Sequence, residues 1–171
     1  MTGHILVTYG SWAGSAVEVA EEIGQTMADG HAKVDILSVK EVKDLLPYDA
    51  VIVGSAIHAS QLHPDVLTFI KKHKDSLVSK RTALFVVCLA MKDDDENSRE
   101  IVSSYLDIVE ELAPGMMPVA TGLFAGAMIY KKLPLALRLV VKVMKAEEGD
   151  YRDWDAIRDW ARSVREMLDV E

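Results

Sequence analysis

Apolar positions along the 171-residue chain follow two periods that alternate. Ile5-Leu6-Val7-Thr8-Tyr9 is a short unbroken apolar run, the pattern of a strand buried on both faces. Ala16, Val19, Ala20, Ile23 and Met27 then recur at helical spacing, with Gly30 as the expected stop. Residues 34–39 read as a second strand, and 42–46 as one helical turn before Pro47. The clearest strand is 50–55 (AVIVGS). Pro64 is placed to open a helix reaching Leu77, with His63 as its N-cap and Val66, Leu67, Ile70 and Leu77 inward. A fourth strand is expected over 82–89. A helix over 98–112 follows, capped by Asn97 with Glu100 in the capping-box position and burying Ile101, Tyr105, Val109 and Leu112. A fifth strand spans 117–124, weakened by Pro118. An apolar and basic helix covers 131–145, and a last helix covers 153–168 with Ile157, Ala161, Val164 and Leu168 inward.

Five strands separated by helices predict an α/β fold, a parallel sheet wound on both faces by right-handed crossovers. Ligands in such sheets bind beyond the carboxyl ends of the strands. The loops expected to matter are therefore 10–16, 55–63, 89–97 and 125–131. There is no internal repeat, low-complexity tract or linker, so residues 1–171 are expected to form one domain.

Composition narrows the function classes. A net charge of −8 argues against nucleic-acid binding, which needs a positive face. No apolar run is long enough to span a membrane, and the first residues lack the basic region of a secretory signal. One cysteine, Cys88, excludes an internal disulfide or a multi-cysteine zinc site. A cytoplasmic location is expected, and no metal site is assigned.

The first strand runs into Gly10-Ser11-Trp12-Ala13-Gly14-Ser15-Ala16, and a helix starts at once. Small residues at a helix N-terminus let backbone N–H groups converge on an anion. The spacing is neither GxGxxG, nor a Walker A loop, nor a G-x-S-x-G elbow. A tight turn without a ligand stands as the alternative.

Tyr9 to Ala16 resembles the FMN phosphate loop of flavodoxins. Val53-Gly54-Ser55-Ala56-Ile57, Val87-Cys88-Leu89, Gly122 to Met128 and Tyr151 to Ile157 are similar to the flavodoxin-domain branch of menaquinone-dependent protoporphyrinogen dehydrogenases. The resemblance covers nearly the whole chain. It implies a flavodoxin-like sheet of order 2-1-3-4-5, with an extra helix between the last strand and the last helix. It implies FMN as cofactor, with Ser11 and Ser15 bonding the phosphate and Gly14 admitting the backbone to it. Trp12, Ala13 and Ala16 would give backbone N–H groups alone. The family often has Thr where this chain has Ala13 and Ala16, and two lost hydrogen bonds correspond to about tenfold to a hundredfold in affinity. Ser55, Ala56, Ile57 and His58 would flank one face of the ring, and Cys88, Leu89, Ala90 and Met91 the other. Gly126 follows strand five at the same edge. The implied activity is an FMN-dependent oxidoreductase carrying electrons from protoporphyrinogen or a related reductant to a quinone. An electron carrier docking to a redox protein and a flavin-free interaction protein on the same scaffold are the alternatives.

Other groups have a sharp and a plain reading. His58 is either a proton donor beside the flavin or an exposed loop residue. Cys88 reads as a small core residue. The acids Asp93-Asp94-Asp95-Glu96 read as a solvated loop favouring the next helix N-terminus, as a charge that lowers the flavin potential, or as a hard-metal site, for which contiguous acids lack the alternating spacing of a calcium loop. Residues 131–145 hold five cations and no acid, leaving −13 on the rest of the chain. This helix either meets an anionic membrane surface peripherally, walls a pocket over the flavin, packs on a second subunit in a homo-oligomer, or covers its own core.

Overall fold

The computed structural model describes residues 3–12, 14–29 and 31–168. The first apolar run forms β1 (His4–Gly10), and its side chains divide between two cores. Ile5 and Val7 enter one, Leu6 the other. The same division recurs in the next long strands, β3 (Ala50–His58) and β5 (Arg81–Cys88), where Ile52 and Phe85 face one core and Val51, Val53 and Leu84 the other. Apolar residues at every position are what a sheet covered on both faces requires.

With β2 (Lys33–Ser38) and β6 (Thr121–Ala125), these strands form a parallel sheet in the order β2-β1-β3-β5-β6. This is the doubly wound order expected from the sequence. Helices α1 (Ser15–Ala28) and α7 (Trp154–Leu168) cover one face, with Ile157, Ala161, Val164 and Leu168 buried as expected. Helices α2 (Pro64–Lys72), α3 (Lys74–Ser79) and α5 (Asp107–Leu112) cover the other. A fourth helix, α4 (Glu96–Ser104), packs Val102 against Val86, Cys88 and Met91. Gly54, in mid-strand, is required by packing: a Cβ there would lie 1.9 Å from Cζ of Phe85. The Phe85 ring crosses that position and meets Trp160 of α7 nearly edge-on at 6.3 Å.

Several elements differ from expectation, each for a local reason. Residues 42–46 form no helical turn; Val42 and Leu45 instead plug the core from an irregular segment. The helix expected over 64–77 breaks at His73, and the one over 98–112 breaks at Tyr105-Leu106, so each bends around the sheet as two short helices. Ile101 is 42% exposed, and Val102 takes the inward position. The cap of α4 is Asp95 rather than Asn97; its carboxylate accepts from the Ser98 N–H at 2.7 Å. The acid run therefore serves this helix start, and Asp94 also pairs with Arg99 at 2.6 Å. The last sheet strand begins at Thr121, after Met117 and Pro118 have passed through an exposed loop. Gly30, the expected stop of α1, lies outside the described residues; the helix ends at Ala28.

Two small antiparallel elements were not expected. β4 (Gln61–Leu62) folds back on the end of β3, turning through Ala59 and Ser60, both left-handed with φ of 49° and 62°. The segment after β6 leaves through β7 (Ala127–Met128) and returns through β8 (Gly149–Asp150), and the two pair as a ribbon. Between them lies α6 (Leu135–Val143), shorter than the expected 131–145 because Pro134 fixes its start.

At the opposite, amino-terminal edge of the sheet, His4 Nε2 lies 2.9 Å from Asp35, and the Tyr48 hydroxyl donates to the same carboxylate at 3.0 Å. Burial, then the Asp35 carboxylate, push the Tyr48 phenol up to about 12. This network ties β1 and β2 to the 39–49 segment and is remote from the loops that follow the strands.

Two outcomes follow. Asp95→Ala lowers the melting temperature, whereas Asn97→Ala does not; equal effects in thermal denaturation would return the cap to Asn97. The second concerns pH. His63 caps α2 by accepting from the Asp65 N–H at Nδ1 (3.1 Å), which needs that nitrogen unprotonated. Burial holds its pKa below the ordinary histidine value, against an opposing pull from Asp65. Burial lowers His73 likewise. The unfolded chain therefore takes up these protons first, near pH 6.5, so stability is full above that pH and declines below it until the folded pKa is passed. The urea midpoint should fall between pH 7.5 and 5.5. His63→Asn, which keeps a capping oxygen, should flatten that slope; an unchanged slope removes His63 from the account.

Candidate functional site

The site begins with the turn between β1 and α1. The chain reverses from strand to helix through Gly14, which is left-handed at φ 87° and is the N-cap of α1. Glycine takes that conformation without the penalty a Cβ incurs. Gly14 has no side chain with which to cap the helix, so the first-turn amides are left for another acceptor. The Gly14 N–H itself donates to Ser11 Oγ at 3.1 Å, which fixes the turn and leaves the Ser11 hydroxyl hydrogen free to donate elsewhere. A Cβ at position 14 would meet nothing within 4 Å, so the space above the turn is open. Ala16 is fully buried in the core and offers only its backbone. Ala13 lies outside the described residues.

Beside this turn is a cleft of about 240 Å³ at the carboxyl ends of β1, β3, β5 and β6. That is the crevice where the strand order reverses around β1 and β3. Trp12 and Ser15 line it from the first loop, Ala56, Ile57 and His58 from β3, and Val87 and Leu89 from β5. Gly126, Ala127 and Met128 close it beyond β6.

The structure sorts the sequence-derived candidates. Trp12, expected to supply only its N–H, turns its indole into the wall, 4.3 Å from the His63 ring and 5.4 Å from that of His58. The β3–β4 hairpin stands next to the turn and gives the indole a surface to pack on. Ser55 is buried and committed to the fold: its hydroxyl donates to the Ala56 carbonyl and accepts from the His63 N–H, both at 2.8 Å. Of residues 88–91, only Leu89 reaches the cleft. Side chains alternate along a strand, so Val87 and Leu89 share one side and Cys88 points to the other. Cys88 packs with Val86 and Met91, and burial pushes its thiol up. Ala90 is exposed on the turn after β5, outside the cleft lining. Met91 is buried under that turn, beside a different hollow along the open edge of β6.

Leu133, Leu137 and Val141 complete the lining from the β7–β8 arm, roofing the cleft. Sequence reading left the direction of this segment open because its apolar residues exceed one stripe. The opposite face of α6 carries Leu135 (76% exposed), Leu139 (68%) and Val143 (81%), and no α6 side chain is fully buried. The arm is held by its ribbon, by the Tyr130 N–H donating to Glu148 at 2.7 Å, and by Arg138 Nε donating to the Leu133 carbonyl at 2.8 Å.

Charge is concentrated where the arm meets α1. The Arg152 side chain, only 5% exposed, pairs with Asp150 at 2.6 Å, pairs with Glu18, and stacks over Trp154 at 4.7 Å. Lys132 reaches the other oxygen of Glu18 at 3.0 Å. The Arg152 hydrogen bond, supported by that of Lys132, holds the Glu18 carboxyl below its ordinary pKa despite partial burial.

The assembled site has an apolar slot suited to a planar ring and a polar pole suited to an anion. Among the described residues, no group of three or more His, Cys, Asp or Glu side chains is placed to hold a metal ion. No described helix is long and apolar enough to cross a membrane.

Comparison with known proteins agrees with this geometry. Protoporphyrinogen IX dehydrogenase [quinone] of Escherichia coli strain K12 is 22% identical over 175 residues, covering 96% of each chain. The protein of the same name from Leishmania major is 23% identical over 168 residues, covering 91% of this chain and 72% of that one. Oxidised flavodoxin 1 from Bacillus cereus superposes with a TM-score of 0.62 at 16% identity, over 97% of this chain and 99% of the other. Two-electron reduced Megasphaera elsdenii flavodoxin gives 0.57 at 16% identity, over 93% and 98%. The flavodoxin-domain family profile matches residues 6–155. By that match, by its strand order and by the site at the head of β1, the chain belongs to the flavodoxin-domain family.

Proposed function

We propose that the protein is an FMN-dependent oxidoreductase that takes electrons from protoporphyrinogen or a related reductant and delivers them to a quinone. The observation that carries this reading is the roof: Leu133, Leu137 and Val141 stand over the apolar slot beside the turn at Gly14. A wall standing over that slot gives an apolar surface against which a flat reactant can be selected. The names of the Escherichia coli and Leishmania major relatives support the substrate class.

FMN, when bound, supplies a ring that accepts and releases electrons reversibly. The first-turn amides of α1 and the hydroxyls of Ser11 and Ser15 would hold its phosphate. Ala56, Ile57 and Leu89 would bound the ring and exclude water from it. His58, exposed at the rim, is the titratable side chain among the described residues lining the cleft and is placed to exchange protons with solvent.

The net charge of −8 favours a second reading, an electron carrier docking to basic redox proteins. Turnover separates the two. Protein incubated with FMN and desalted should retain one flavin per chain and reduce a soluble quinone when given protoporphyrinogen. Flavin retention without small-molecule turnover would favour the carrier, and a colourless protein would end both readings. Gly14→Val, forced to the same positive φ at a cost of about 1–2 kcal/mol, should weaken FMN at least about tenfold in a fluorescence titration.

The outward face of α6, with Lys142 beside Leu135, Leu139 and Val143, suits peripheral contact with an anionic bilayer, where quinones dissolve. Wild-type protein should sediment with vesicles containing phosphatidylglycerol and lose this with Leu139→Glu/Val143→Glu, FMN binding being retained. Equal sedimentation of both proteins would remove the membrane contact.

A further inference from the structure

Next to the apolar cleft, and sharing Ala127 with it, is a small separate hollow lined by Ser15, Glu18, Ala127, Ile129 and Lys132. Ser15 lines both spaces. Glu18 is three residues further along α1, on the same face as Ser15. An acid in the first turn of a helix repels a second anion at that N-terminus unless cations accompany it. Two do, and they are not equivalent.

Arg152 is fixed. Its guanidinium is nearly enclosed, forked onto both oxygens of Asp150 at 2.8 and 2.6 Å, and bonded to Glu18 Oε2. Lys132 is not fixed. It is 45% exposed, makes one ion pair, and carries its charge on a flexible four-carbon stem. The two cations hold different oxygens of Glu18, Lys132 on Oε1 and Arg152 on Oε2. Glu18 therefore keeps a charged partner when Lys132 turns away. With Glu18 and Asp150 against Arg152 and Lys132, the cluster is neutral, so Lys132 is the cation that an arriving phosphate can recruit without stranding a buried charge.

We propose that Lys132 is a phosphate-binding residue of this site, held ready by Glu18, and that it makes the phosphate of the bound flavin a tie between the α1 turn and the β7–β8 arm. The proposal rests on the flavin reading above. It identifies a charged donor, supplied from the arm, in a loop whose residues 13 and 16 are both alanine. It also makes this chain discriminate FMN from riboflavin, which has the ring and lacks the phosphate.

Fluorescence titration of the full chain with FMN and with riboflavin, at 20 and 200 mM NaCl, tests it. Lys132→Met should weaken FMN about tenfold and riboflavin by less than about twofold, a charged hydrogen bond being worth more than a neutral one. The salt dependence of FMN binding should shrink with it, and Lys132→Arg should restore most of the affinity. Glu18→Gln, which frees Lys132, should tighten FMN and leave riboflavin unchanged. In limited proteolysis, FMN should protect the arm between Ile129 and Lys145 in wild type and not in Lys132→Met. Wild-type protein that binds FMN, with Lys132→Met keeping the same preference for FMN over riboflavin, would overturn the role of Lys132 alone. Wild-type protein that binds neither flavin would overturn the flavin reading and this proposal together.

Discussion

The reversal at Gly14 is the constraint on which the site depends. β1 is an interior strand, flanked by β2 and β3 and buried on both faces, so its exit must turn into α1 within a few residues or leave unpaired backbone over the core. A left-handed residue makes that turn and aims the start of the helix at the carboxyl edge. The turn takes the side-chain cap away from α1, because glycine has none to offer. What is awkward for the helix is useful at the edge of the sheet: donors that water or a ligand must satisfy are gathered at the point where the strand order reverses. The other walls are then set by register. β3 runs to His58, three residues past Ser55, the partner of Gly10, and so brings Ala56 to His58 alongside the turn.

The arm adds a second constraint, in which packing and charge oppose each other. α6 is apolar on two sides and buries no side chain completely. A nine-residue helix in this position is marginal on its own, and its stability must come from the contacts at its base. Those contacts are polar: the β7–β8 ribbon, Arg138 returning to the backbone, and the Arg152–Glu18–Lys132 cluster. The five cations of 131–145 sit on a body with a charge of −13, so the arm is also drawn to the domain over a longer range. The roof over the cleft is thus held in part by ion pairs that salt weakens, whereas the sheet beneath is held by apolar burial that salt does not weaken.

Sheet order and helix placement were legible because burial on both faces writes itself as unbroken apolar runs, and the turn at 10–16 because small residues before a helix have few other uses. The missed features are those in which the deciding contact is distant in sequence. The I′-like hairpin at Ala59-Ser60 lacks the Asn-Gly that would announce it, since its conformation is imposed by β4 pairing back on β3. Asp95 was passed over for Asn97 because four acids in a row have no periodicity from which to fix the first turn of α4. The resemblance sets Cys88 to Met91 beside the flavin through backbone groups, and strand alternation decides which of their side chains lines the cleft: Leu89 does, and Cys88 points away. Nothing in the sequence places His58 and His63 beside Trp12, so the part its indole takes in the wall is visible in the structure alone.

The direction of α6 shows why composition alone left several readings open. A helix with one apolar stripe declares its single partner. With two, the sequence says that two surfaces are met and not which. The structure resolves one: Leu133, Leu137 and Val141 face the cleft. The face bearing Leu135, Leu139 and Val143 is then left over, and such a contiguous exposed apolar patch calls for a reason. The sheet is already covered on its two faces by α1 and α7 and by α2, α3 and α5. Both apolar surfaces of the arm lie outside those two cores, and they sit back to back on one helix of about two and a half turns. A partner on the outer face would therefore lie one helix away from the roof of the cleft.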